Sequence, residues 1–326
     1  GCVLANRLSV DPKTRVLLLE AGGSDFNFWV KMPIGYGKTF YHPKMNWRYL
    51  TEVVPGIGNR PSYWPRGKVI GGSSSINAMV YVRGQYEDFD SWAALGNPGW
   101  AASDILPVYK RMENNLAGAD QWRGSGGPLT ITNMTGSTHA LADDYLKSAE
   151  AAGIPFNPDY NGEKQDGFGY YQTTIREGRR ESAAEAFLNP AKSRPNLEII
   201  THARVKKVLV EERRARGVSF DVKGEQREAF ADRAVIISAG AVQSPQILEL
   251  SGIGQGELLR SHGIRVVHDL PGVGENYRDH YAARVNWRVN QRITLNDDTR
   301  GFRMVREMLK YAFGRRGILT YTAGIG

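Results

Sequence analysis

The chain has 326 residues, of which 41% are hydrophobic, with a net charge of +8 and one cysteine, Cys2. That length can bury a sizeable core and exceeds one ordinary domain, while a lone cysteine excludes an intramolecular disulfide and favours a reducing compartment. Basic residues are scattered, with arginine doublets only at Arg179-Arg180, Arg213-Arg214 and Arg315-Arg316, so nucleic-acid binding is not expected.

Gly1 opens G-C-V-L-A-N-R-L-S, an amphipathic helix start with Val3, Leu4 and Leu8 on one face. After the turn pair Asp11-Pro12, the run Arg15–Glu20 (R-V-L-L-L-E) predicts a short buried parallel strand. A strand ending in an acid, followed by Ala21-Gly22-Gly23, is how a dinucleotide-binding βαβ unit finishes. There the acid takes the ribose hydroxyls roughly 20 residues after a glycine fingerprint. Glu20 lies 19 positions after Gly1, so Gly1 is expected to be the last glycine of a G-x-G-x-x-G. Alone, a strand-ending acid is weak evidence and is more often structural.

Residues 25–65 are rich in proline, glycine and aromatics, and the segment is expected to hold no regular element yet to be too long for an idle loop. Arg66–Asn77 then reads R-G-K-V-I-G-G-S-S-S-I-N. Gly71 and Gly72 remove every Cβ where backbone could approach a ligand. Ser73, Ser74, Ser75 and Asn77 supply donors and acceptors, and Ala78, Met79, Val80 and Tyr81 would wall a flat ligand. A glycine–serine surface turn explains G-G-S-S alone, but not the basic flank of Arg66 and Lys68 or the Y-V-R-G exit.

Helices are expected over Ala102–Glu113, with Ser103 as cap, and over Ala140–Ala152. Residues 117–133 read as a glycine-rich link into a short strand, and 157–169 as a loop. From Leu197 a β meander is predicted, with strands Leu197–Thr201, Val205–Glu211, Gly217–Val222 and Arg227–Ala231 separated by charged turns. Arg233–Ser238 (R-A-V-I-I-S) predicts another buried strand, running into A-G-A-V-Q-S-P. Ser244 would cap a helix Gln246–Leu250, with Pro245 at its first position. This strand–glycine turn–helix could equally be an ordinary α/β connection. Ala282–Val289 reads as a strand and Thr299–Phe313 as a helix, with Phe302, Val305, Met308, Leu309 and Ala312 on one face.

The six histidines show no H-x-x-x-H or H-E-x-x-H spacing, so no metal site is expected, and no nucleophile elbow or P-loop appears. Asp279-His280 suggests an acid–base dyad only if the chain bends there, because neighbours on a strand face opposite ways. No stretch approaches the roughly 20 apolar residues of a membrane span.

The sequence resembles the glucose–methanol–choline oxidoreductases, nearest their choline-dehydrogenase-like and alkanol-dehydrogenase-like members. The signatures are Gly67–Asp90, through G-K-V-I-G-G-S-S-S-I-N to Y-V-R-G-Q-Y-E-D-F-D, and Gly240–Gly254, G-A-V-Q-S-P-Q-I-L-E-L-S-G-I-G. Leu270–His280, L-P-G-V-G-E-N-Y-R-D-H, is a third family-like block. The resemblance implies an α/β, Rossmann-like FAD-binding fold with a β-meander insertion and a substrate domain of α+β character, incomplete at both ends. The implied partition is an FAD-binding part over 1–130, with a lid (25–65) and flavin loop (66–90), and a second FAD-binding part over 181–279. The substrate domain would take 131–180 and 280–326.

The resemblance also implies cofactor contacts at Gly1, Glu20, Ala21, Trp47, Val69, Gly72, Ser73, Asn77, Ala78, Met79, Val80, Val205, Ala239 and Gly240. Within that set Glu20 takes the ribose, Ser73 the pyrophosphate, Asn77 to Val80 the isoalloxazine and the Val205 backbone the adenine. Core packing is an equal reading for Trp47 and for Trp64. Relatives that attach flavin covalently use a histidine just before the asparagine; Ile76 stands there, so FAD is expected to be noncovalent. The family's catalytic histidine and its partner lie C-terminal to residue 326, so no catalytic residue is assigned and the chain alone is expected to be inactive.

The implied activity is oxidation of the CH–OH group of a primary alcohol by hydride transfer to flavin N5, with oxygen or a quinone-linked electron-transfer chain as acceptor. A flavin-containing lyase of the same family and a noncatalytic truncated product are the alternatives. A cytoplasmic location is expected, with peripheral contact to the inner face of a membrane. The positive charge would serve solubility, the anionic pyrophosphate or that membrane face.

Overall fold

A computed structural model describes the chain apart from residues 135–138, 281, 283, 284, 323, 325 and 326, and the side chain of residue 140. Helix and sheet are mixed in an α/β fold, and contacts divide the chain into two compact units.

The first unit comprises Gly1–Ser24, Lys68–Ile70 and Ala191–Trp287. Helix Cys2–Leu8 leads into strand Val16–Glu20, which pairs in parallel with Leu197–Thr201 from Val16 opposite Leu197 to Glu20 opposite Thr201. Asn196 fastens the connection: its Nδ2 donates to the carbonyls of Ser9, Asp11 and Thr14 at 2.9–3.1 Å.

Leu197–Thr201 is therefore not the first strand of the meander. His202, in the left-handed region at φ 56°, turns the chain out of the parallel pair. The antiparallel sheet that follows is Ala203–Glu211, Arg214–Val222 and Glu225–Phe230. Its hairpins close with both central residues at positive φ, Glu212 and Arg213 in one and Lys223 and Gly224 in the other, which matches the twist of the strands they join. Ala203, Phe220 and Val222 form the core here, with Leu19 and Ile200 of the parallel pair packed against them.

Two further expectations are corrected. Residues 233–238 form no strand, and Ile236 is 52% exposed; no described strand offers this stretch a ladder partner. The next helix spans Gly240–Leu250, so it begins well before Ser244, and Pro245 lies inside it. There proline leaves the Ala241 carbonyl without its usual donor.

The second unit comprises Asp25–Gly67, Gly71–Pro190 and Arg288–Gly326. Residues 25–65 do contain regular structure: short helices Phe28–Lys31 and Tyr36–Thr39, then the antiparallel hairpin Tyr49–Val54 with Arg60–Trp64. Gly58 at φ 77° and Asn59 at φ 54° make its turn possible. Helices Tyr86–Ala94 and Ala102–Met112 follow. The second begins without Ser103: Asp104 accepts from the Ala101 N–H (3.2 Å) and Asp90 from that of Ala102 (2.9 Å).

Strand Leu129–Asn133 lies between Glu113–Asn115, parallel, and Gln172–Thr173, antiparallel. Beneath it Arg123, 1% exposed, reaches Glu113 Oε1 at 3.0 Å and Asp159 Oδ1 at 2.8 Å, and Arg83 meets the same Glu113 oxygen at 2.8 Å. Helix Gly301–Gly314 lies within the expected Thr299–Phe313 but for its last residue. The expected strand over 282–289 lies partly outside the described residues, and its described remainder forms no strand.

Candidate flavin-binding site

In the first unit, Glu20 ends its strand with its carboxylate turned back on the chain, accepting from the Gly22 N–H at 2.7 Å. Burial pushes its pKa from 4.5 up to about 7, opposed by that N–H and by the charge of Lys68. Gly22 admits no side chain, because a Cβ there would stand 1.9 Å from the Lys68 carbonyl oxygen. Gly23 bridges to the fully buried Val69, the Gly23 carbonyl accepts from the Ile70 N–H (2.9 Å), and the Gly22 carbonyl accepts from the His202 N–H (2.8 Å). The Glu20-Ala21-Gly22 turn is thus held from both sides by backbone.

The other expected residues of this unit have simpler settings. Val205 lies in the antiparallel sheet opposite Phe220 and packs on its core. Gly1 stands against Leu18, a Cβ there falling 3.5 Å from its side chain. Gly240, after Ala239, adopts φ 85° with open space where a Cβ would be. A half-buried acid with acceptor capacity to spare and a bare backbone at a helix start fit the nucleotide end of a dinucleotide.

In the second unit the loop after Arg66 is pinned by its own hydroxyls. Ser73 Oγ accepts from the Gly67 N–H at 3.0 Å. Ser74 Oγ donates to the Gly71 carbonyl (2.6 Å) and accepts from the Ala183 N–H (2.9 Å). Gly71 and Gly72 take φ 87° and 57°, and Gly72 faces open space. Asn77 Oδ1 accepts from the Met79 N–H at 3.1 Å and from Arg180 Nη1 at 2.8 Å. That holds Met79, 1% exposed, at φ 60°, a conformation a long side chain adopts only when its surroundings impose it.

Downstream, the Ala78 carbonyl accepts from Thr322 Oγ1, the Met79 carbonyl from the Thr174 N–H, and Val80 bridges to Thr173. Trp47 stacks on Tyr49, ring centroids 5.9 Å apart, and its backbone N–H donates to the Arg66 carbonyl. A rigid loop with glycine backbone open on one side suits a flat aromatic ligand.

Arg180 is the residue the sequence concealed. Read there as half of a basic doublet, it is 2% exposed and donates to the carbonyls of Val30 (2.9 Å) and Ser74 (3.1 Å) as well as to Asn77. Its hairpin, Ile175–Arg176 with Arg179–Arg180, turns Arg179 out and Arg180 in. Strand alternation could have signalled this, had the two-residue strand been visible. Next to it a single π-helical turn, Ala184–Leu188, packs Ala184 beside Gly71, a form often found at functional sites.

Each unit therefore assembles its own share of the expected residues: Gly1, Glu20, Ala21, Val69, Val205, Ala239 and Gly240 in the first, and Trp47, Gly72, Ser73, Asn77, Ala78, Met79 and Val80 in the second. Among the described residues no group of three histidine, cysteine or acidic side chains could hold a metal.

Residues 17–282 match the family model for GMC oxidoreductases. The chain is 47% identical over 280 residues to an oxygen-dependent choline dehydrogenase of Rhizobium etli, covering 86% of this chain and 51% of that protein. It is 41% identical over 327 residues to an alcohol dehydrogenase [acceptor] of Pseudomonas putida, covering 98% and 58% respectively. A solved FAD-dependent oxidoreductase from Chaetomium thermophilum superposes with a TM-score of 0.88 at 28% identity, covering all of this chain and 59% of that one. The chain spans about half the length of the curated relatives it matches. The long match, which takes in Glu20, the Gly71–Val80 loop and the Gly240 helix, places the chain in the glucose–methanol–choline oxidoreductase family.

Proposed function

We propose that the protein containing this chain is an FAD-dependent oxidoreductase that oxidises the CH–OH group of a primary alcohol, of choline or alkanol type. The reading rests above all on a family match that takes in every expected cofactor residue of both groups but Gly1. The dehydrogenase names of the relatives support the substrate class.

Glu20 would take the ribose hydroxyls, with Gly22 holding its carboxylate in place. The Val205 backbone would meet the adenine, and Gly1 and Gly240 would let backbone approach the phosphates. Ser73, already an acceptor for Gly67, keeps its hydroxyl proton for the pyrophosphate. Asn77 to Val80 would support the isoalloxazine, and Arg180 keeps that stretch in one conformation. Ile76 carries no nucleophile, so attachment would be noncovalent. When bound, FAD supplies the hydride acceptor at N5. The group that takes the alcohol proton is not assigned to this chain.

The domain partition follows the same reading: residues 1–130 and 181–279 would serve the nucleotide, and 131–180 and 280–326 the substrate side. Oxygen or a quinone-linked chain would reoxidise the flavin. Acid precipitation tests the mode of attachment, since noncovalent FAD leaves with the supernatant and a covalent flavin stays in the pellet. Anaerobic reduction by choline and by a primary alkanol tests the activity.

A further inference from the structure

Asn77 and Arg180 join the surface of the second unit to its interior: Asn77 is exposed, whereas Arg180 is 2% exposed. Asn77 Oδ1 accepts from Arg180 Nη1 at 2.8 Å and from the Met79 N–H at 3.1 Å. Two donors on one oxygen settle which way the amide points. Its Nδ2 donates to no described residue, so both hydrogens stay available to a ligand.

The charge behind that amide is not cancelled. Arg180 Nε and Nη1 donate to the carbonyls of Val30 and Ser74, and Nη2 is buried with no acceptor. Carboxylates on the neighbouring segments are engaged elsewhere: Asp25 and Glu185 with Lys31, and Glu181 with Arg176 and the Thr130 N–H. Because Nη2 is already covered within this unit, a carboxylate from elsewhere in a longer protein has no opening to it. Little water screens such a charge, so its field reaches beyond its contacts. Stiffening the loop requires only donors, which a neutral side chain supplies without the cost of an unpaired buried cation.

We propose that Arg180 tunes the flavin electrostatically, given the reading in which Asn77 to Val80 support the isoalloxazine. Through Asn77 it turns amide hydrogens outward, and its own charge adds a positive field. Both favour the two-electron-reduced ring in its anionic form, so the guanidinium raises the tendency of the flavin to accept hydride.

The test is anaerobic equilibration of the flavin-loaded intact gene product, of Arg180→Gln and of Arg180→Lys with a two-electron redox dye of known potential, at pH 6 and pH 8. Dividing each variant's equilibrium constant by the parent's at the same pH removes the proton dependence they share. Arg180→Gln should lower the constant for flavin reduction about ten-fold, a fall of about 30 mV for a two-electron couple. Arg180→Lys should stay within about three-fold of the parent at pH 6 and approach Arg180→Gln at pH 8, because a buried ammonium gives up its proton far more readily than a guanidinium. Flavin-loaded Arg180→Gln at the parental constant would overturn the proposal. So would an Arg180→Lys ratio that is lowered equally at both pH values, which is what a purely structural role gives. That second comparison stands even where Arg180→Gln holds too little flavin to measure. A parent that binds no flavin would instead overturn the flavin reading itself, and the proposal with it.

Discussion

Arg180 donates to Asn77 Oδ1 at 2.8 Å across 103 positions of sequence, and among the described residues no carboxylate faces its guanidinium. Its Nη2 is buried without an acceptor, and burial pulls its pKa down to about 9. A cation held by neutral oxygens alone is costly to keep, and what it secures is the Ser74–Asn77 turn beside Met79.

Arg180→Met should take the guanidinium donor from the Val30 and Ser74 carbonyls and from Asn77, which keeps only the Met79 N–H. Loss of stability by about 2–4 kcal/mol is expected from two orphaned carbonyls, with reduced flavin content. Chemical denaturation and the ratio of flavin to protein absorbance measure both. Arg180→Met at parental stability would show that the guanidinium holds nothing.

Glu20 carries a pH signature. Its folded pKa of about 7 lies above the unfolded value of 4.5, so flavin-free protein is destabilised as the unfolded carboxyl ionises and the folded one does not. The penalty is absent below about pH 4.5, grows as pH rises towards 7, and is complete above it, on the order of 3 kcal/mol. Glu20→Gln should remove this slope, which melting curves of flavin-free parent and variant between pH 5 and 8 would display. Parallel curves would contradict the assignment.

Glu20→Ala should also weaken FAD binding by about 1.5–3 kcal/mol, the scale of a hydrogen bond to a charged group. Fluorescence titration of the flavin-free protein at pH 8 reads this directly. Unchanged affinity would remove Glu20 from the site.

The group of Glu113, Arg83 and Arg123 belongs to the framework of the second unit. Glu113→Ala would leave Arg83 without its carboxylate and Arg123 with Asp159 alone, the two arginines being 5% and 1% exposed, and should cost about 3–5 kcal/mol. Urea unfolding checks this, with spectra of any remaining bound flavin unaltered.

What could be read in advance was local. The Glu20 strand end and the Gly71–Val80 loop announce themselves by residue type within a dozen positions. Arg180 did not, because its burial depends on Val30 and Ser74, far away in sequence. Leu197–Thr201 looked like the strands after it, since a five-residue apolar run has no mark for parallel or antiparallel pairing; His202 decides that by its backbone. Residues 233–238 have the composition of a buried strand, but pairing needs a partner that composition cannot supply. In Gly301–Gly314 the periodicity located the helix and the apolar residues that share one face, but not the buried Glu307 carboxylate, which accepts from the Ile318 N–H in the following loop.

The central claim is that this chain belongs to an alcohol-oxidising flavoprotein, and anaerobic titration of the flavin-loaded intact gene product with choline or a primary alkanol tests it most directly. The account predicts that the yellow flavin bands bleach in proportion to substrate, with one aldehyde formed per flavin reduced, and return on admission of oxygen or a quinone dye. Flavin that dithionite bleaches but neither alcohol does would contradict it.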